Sequence, residues 1–153
     1  MKLSLLFCSL FFSLNFLAQR YSNSIGLRFA NIGYTQLNAK HFMNANNAVE
    51  LSLGGNSNYV WIQGNYEWQY NLVDDIDYYF GAGPGFGIVS GNPIMQNSYN
   101  DRLMFGVNGV VGAEYKLPDY PFTFSFESGP YLQIIPGFSL GWNFGLAARY
   151  VLP

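Results

Sequence analysis

The feature that most restricts this chain is a rhythm of two. In residues 139–152, SLGWNFGLAARYVL, one side collects Leu140, Trp142, Phe144, Leu146, Ala148, Tyr150 and Leu152. The other side collects Ser139, Gly141, Asn143, Gly145, Ala147 and Arg149. Side chains of a strand point alternately to opposite faces, so this is one strand with one oily face. FTFSFESG at 122–129 repeats the pattern, with Phe122, Phe124 and Phe126 set against Thr123, Ser125 and Glu127. Extended along the chain, the same reading predicts eight strands: 24–30, 33–42, 48–54, 59–70, 77–89, 102–117, 122–132 and 139–152. Tyr34 and Thr35 blur the alternation in the second of these. MNANN (43–47), GNSN (55–58) and PDYP (118–121) suit hairpin turns.

Residues 1–18, MKLSLLFCSLFFSLNFLA, read as an export signal: Lys2 begins it, an apolar run follows, and Ala18 stands at the cleavage point. Cys8 is filler within that signal, so the mature chain folds without a disulfide. The rest, 19–153, forms one domain with no linker or charge block. It contains no run of roughly 18 apolar residues that would make a spanning helix. Only 10% of the 153 residues are charged and the net charge is −2, which gives no basic footprint for nucleic acid.

Alternation by itself leaves open which face is inside. By parity, Arg28, Lys40, Glu50, Glu67, Glu114, Lys116, Glu127 and Arg149 share the polar face, together with Gly81, Gly83, Gly85 and Gly87. Glycines suit a crowded lumen, and an eight-stranded barrel has an interior just wide enough for side chains to fill. The apolar face, with Trp68, Trp142 and many Phe, Tyr and Leu residues, is too bulky for that lumen and suits lipid. Tyr66, Trp68, Tyr70, Tyr78, Tyr115 and Tyr150 lie near one set of strand ends, as an interfacial girdle requires. The expected fold is therefore an all-β, eight-stranded antiparallel up-and-down transmembrane β-barrel. Both termini would be periplasmic, and the longest connection, 90–101, extracellular. A symmetric MNANN turn places Lys40 opposite Glu50, where a cross-strand pair could form.

The segments KHFMNANNAVELSLGG (40–55), GNYEWQY (64–70), YYFGAGPGFG (78–87), GVNGVVGAEYKLPDYPFTFSFESGPYL (106–132) and GLAARYVL (145–152) resemble the small outer-membrane β-barrel proteins of Bacteroidetes. These are related in shape to the OmpA/OmpX-type barrels. The resemblance implies an eight-stranded barrel in the outer membrane of a Gram-negative bacterium and no particular activity. Ser128 departs from the pattern, standing where the family often has an aromatic.

Little enzymatic chemistry is visible. His41 is the sole histidine, on the lipid-facing parity. It could centre a lipid-modifying site, but it reads first as a girdle residue with an apolar body and a polar tip. Asp74, Asp75 and Asp77 crowd one turn and could attract Ca²⁺, although a solvated turn is the simpler reading. GAGPGFG lacks the helix and the Gly-Lys-Ser/Thr of a phosphate-cradling loop. The lumen charges, four of each sign by parity, form either a gate on a narrow ion path or a sealed polar core, which is preferred. No catalytic residue, metal site or cofactor is assigned. The expected partners are outer-membrane lipid and the barrel-insertion machinery, and the barrel is expected to be monomeric with a scaffold, membrane-integrity or loop-mediated role.

Overall fold

Each of the alternating segments forms a strand. A computed structural model describes residues 21–57, 59–89 and 103–153; the expected signal segment and the 90–101 connection lie outside the described residues. The strands are β1 (Asn23–Ala30), β2 (Tyr34–Phe42), β3 (Asn47–Asn56), β4 (Tyr59–Val73), β5 (Ile76–Val89), β6 (Leu103–Lys116), β7 (Phe122–Ile135) and β8 (Ser139–Leu152). Every neighbouring pair is antiparallel, and β8 returns to β1 to close the barrel. Closure leaves no sheet edge, so each strand satisfies its backbone on both sides.

The turns follow from local chemistry. Oδ1 of Asn44 accepts the backbone N–H groups of Asn46 and Asn47 at 3.0 and 2.9 Å, which tightens the β2–β3 hairpin. That hairpin sets Lys40 directly opposite Glu50, as its symmetry predicts. The blurred alternation at Tyr34 and Thr35 has a structural counterpart. Both residues oppose Gly55 across a register shift, and Tyr34 has a φ of 50°. A bulge adds one residue to one strand, which offsets the two-residue period at that point.

Every Asp, Glu, Lys and Arg of a described strand has inward parity, and most are buried. Most outward positions are Phe, Leu, Ile, Val, Tyr and Trp, many of them about half exposed. This polarity is the reverse of a water-soluble barrel with an apolar core. Among the described residues, Phe42, Ala48, Trp61, Tyr79, Val110, Tyr131 and Ala147 make up the buried hydrophobic set.

The inward glycines of β5 have a steric reason. The Trp61 indole, on the neighbouring strand β4, lies over them: a Cβ on Gly87 would stand 2.9 Å from its Cε3, and one on Gly85 would be closer still. Overfilling a packed interior commonly costs about 1–3 kcal/mol. Gly85→Val should therefore lower the unfolding midpoint of the refolded protein by at least that much, whereas the outward Ala82→Val should be near neutral. Urea titration in detergent micelles checks both.

Candidate functional site

The interior is layered. Nearest the end opposite the termini is a cavity of about 390 Å³, lined by Asn31, Tyr59, Trp61, Met104, Tyr131 and Gln133 among others, none of them charged. Trp61 and Tyr131 meet edge to face at 5.5 Å and floor it. Beneath them runs a ladder of amides. The Trp61 indole N–H donates to Gln63, whose amide donates to Asn65 Oδ1; Asn108 also donates to Asn65, and Asn143 donates to Asn108, at 3.2–3.4 Å. Sequence parity contains these positions, but without charges they gave no signal of a network.

The ionic layer follows. Arg28 donates to Glu127 through both Nε and Nη2, and through Nη1 to Gln36 at 2.8 Å. Tyr79 adds its hydroxyl to the other Glu127 oxygen at 3.0 Å. Arg149 is the hub: it bonds Glu50 and Asn38, and reaches Glu114 at 2.9 Å and Ser125 at 3.0 Å. The Lys40 ammonium lies 2.8 Å from Glu67 and 3.6 Å from Glu114, with the Tyr79 ring centroid 4.3 Å away. Lys40 and Glu50 are register partners, as expected from the turn, yet their charges go elsewhere: Glu50 serves Arg149 across the lumen. Nearest the termini, Tyr21 donates to Glu114 at 2.8 Å and packs edge-on against Phe42. Burial, reinforced by Glu114, pushes the Tyr21 phenol above its ordinary range and keeps it a donor.

Seven of the eight charges placed in the lumen by parity are therefore buried, and each of the seven comes from a different strand. Lys116 corrects the four-to-four count. It has inward parity but ends β6 half-buried, outside the buried layer. A side chain at a strand end has water within reach, so the pattern that fixes direction does not fix depth.

The outer aromatic residues expected to form a girdle gather at the end that carries the termini. Tyr66 meets Trp68 at 4.9 Å, Trp68 stacks on Phe80 at 5.6 Å, and Tyr70 stacks on Tyr78 at 5.6 Å. Tyr150 meets Phe122 at 5.4 Å, and Tyr115 is outward on β6. Ser128 sits on the outer face and accepts the Trp142 indole N–H at 2.7 Å.

His41 is exposed, and its Nδ1 is held by Asn23 Oδ1 at 2.7 Å, an amide partner rather than a carboxylate or a serine hydroxyl. At the Asp74–Asp77 turn, Asn71 and Gln69 donate to the Asp77 carboxylate at 3.0 and 2.9 Å. Among the described residues, three carboxylates do converge elsewhere: oxygens of Glu50, Glu67 and Glu127 lie within 4.8 Å of one another in the interior.

No protein-family model matches the chain, and comparison with curated proteins finds no relative.

Removing one partner of a buried ion pair strands the other charge and costs about 3–5 kcal/mol. Glu127→Ala, which strands Arg28, should destabilise the barrel by that amount. A half-exposed ion contributes roughly 0–1 kcal/mol, so Lys116→Ala should stay within that range. Equilibrium unfolding of the two variants in micelles compares them directly.

Proposed function

We propose that the chain is an integral β-barrel of a Gram-negative outer membrane with a closed lumen. Its role would be structural, in membrane integrity, or exercised through its outer connections. The observation that carries this reading is the inverted polarity: an outer belt of apolar side chains with no strand charge, around an ionic interior. Exposed apolar patches on monomeric soluble proteins rarely exceed a few hundred Å². Here the apolar surface runs around the barrel, with Leu27, Leu37, Leu51, Ile62, Phe86, Val111, Phe126 and Leu146 each at least two-fifths exposed. Lipid is the solvent that favours such a surface, and a closed barrel is one of two backbone arrangements that can span it.

The proposed orientation rests on the two strand ends. The aromatic cluster at the end with the termini suits the periplasmic interface, where rings with a polar tip are favoured. The opposite end, where β5 ends and β6 begins, holds the 390 Å³ cavity, which has no charged residue among its described lining and is the natural place for contacts with other molecules. Export, passage through the barrel-insertion machinery and a monomeric state belong to the same reading.

Buried ion pairs, amides and the Trp61–Tyr131 floor support a sealed lumen over a gated ion path. Refolded protein in planar bilayers should therefore show no reproducible conductance; steady channel activity altered by Glu127→Gln would replace this reading with the pore. Fractionation of cells, combined with heat-modifiable gel migration, tests compartment and barrel together. Spin labels at Phe124 and Leu146 should report hydrocarbon, and aqueous contact at both would overturn the membrane assignment. Leu146→Arg should cost about 2–4 kcal/mol if that position lies near the bilayer midplane.

A further inference from the structure

The fully buried charges do not balance. Arg28, Lys40 and Arg149 supply three positive charges, and Glu50, Glu67, Glu114 and Glu127 supply four negative ones, so the ionised set carries 3 − 4 = −1. We propose that the interior is a one-proton site, with a proton held between Glu67 and Glu50.

The hydrogen bonds single out this pair. Both oxygens of Glu127 are engaged, one by Arg28 and one by Tyr79. Both oxygens of Glu114 are engaged as well, by Tyr21 and Gln69 at Oε1 and by Arg149 at Oε2. Glu50 accepts from Arg149 at Oε2 only, and its Oε1 has no partner. Glu67 lies in an ion pair with Lys40 at Oε2, and neither of its oxygens accepts a hydrogen bond. These two side chains are 1% and 0% exposed, so water does not complete them.

Register brings the two carboxyl groups into one region, with an oxygen of one within 4.8 Å of an oxygen of the other. Ala48 pairs with Glu67 and Glu50 with Asn65, which makes Glu50 and Glu67 inward diagonal neighbours on β3 and β4. Two ionised carboxylates can only accept, so they have no bond to offer each other. A single proton changes this: Glu67 becomes a donor at Oε1 toward Glu50 while its Oε2 stays beside the Lys40 ammonium. Two carboxyl groups sharing one proton are an established solution where like charges crowd.

The same count argues against a metal. Each carboxylate of the Glu50–Glu67–Glu127 trio already faces a cation, namely Arg149, Lys40 and Arg28. A divalent ion would turn −1 into +1, whereas a proton gives zero. The inference rests on the closed barrel alone and not on where that barrel resides.

Infrared spectroscopy of refolded protein in micelles at neutral pH tests it, with and without carbon-13-labelled glutamate. The wild type should show a C=O stretch of an undissociated carboxyl that shifts with the label, and the band should disappear in Glu67→Gln. Glutamine is the neutral isostere of the protonated side chain and can donate the same bond. Glu67→Gln should therefore fold and keep the wild-type temperature of heat-modifiable migration, while Glu127→Gln lowers it. Absence of the band in the wild type, its persistence in Glu67→Gln, or failure of Glu67→Gln to fold would each overturn the proposal.

Discussion

The structure depends on the need of each buried ion for a partner from another strand. Arg149 shows how far this reaches: from β8 it bonds Asn38 on β2, Glu50 on β3, Glu114 on β6 and Ser125 on β7. An unpaired charge in so dry an interior is very costly, so these contacts must form together or not at all. That requirement selects one closure of the sheet. A slip of a single residue between strands would turn each inward ion outward, which makes register the most strongly specified property of the barrel.

Volume imposes a second condition on the same space. The narrow lumen of eight strands takes its large side chains where the neighbouring strand is bare. Trp61 lies over Gly85 and Gly87, and the Tyr79 ring lies over Gly112, where a Cβ would stand 2.6 Å from its hydroxyl oxygen. Large and absent side chains thus alternate around the interior. The Trp61–Tyr131 floor separates the open cavity from the amide ladder and the ions below. The polar core and its aromatic cover together fill the lumen as one packed body.

The outer face answers to a simpler rule. It must present apolar surface and leave no donor unmatched, and the Trp142–Ser128 bond is the visible instance. The aromatic pairs at one end, Tyr66–Trp68 and Tyr70–Tyr78, place rings with polar tips together and leave the middle of the belt to Leu, Ile, Val and Phe.

Strand number, strand direction and the inward or outward sense of nearly every side chain were legible in the residues, because a period of two is a local property of the backbone. Even the Tyr34–Thr35 bulge left its trace as a break in that period. The Lys40–Glu50 register was legible too, since a short symmetric turn fixes it. Partner choice was not. Whether Glu50 meets Lys40 or Arg149, and whether Lys116 lies deep or at the mouth, depends on which strands face each other across a closed lumen. Likewise, parity alone did not mark Trp61, Tyr79 and the amides as a working set. The sequence by itself determined a barrel with an oily face and an ionic face. Tertiary structure decided which ions pair, how the lumen is plugged and that one negative charge is left over, because those outcomes arise from contacts across a space that exists only once the sheet has closed.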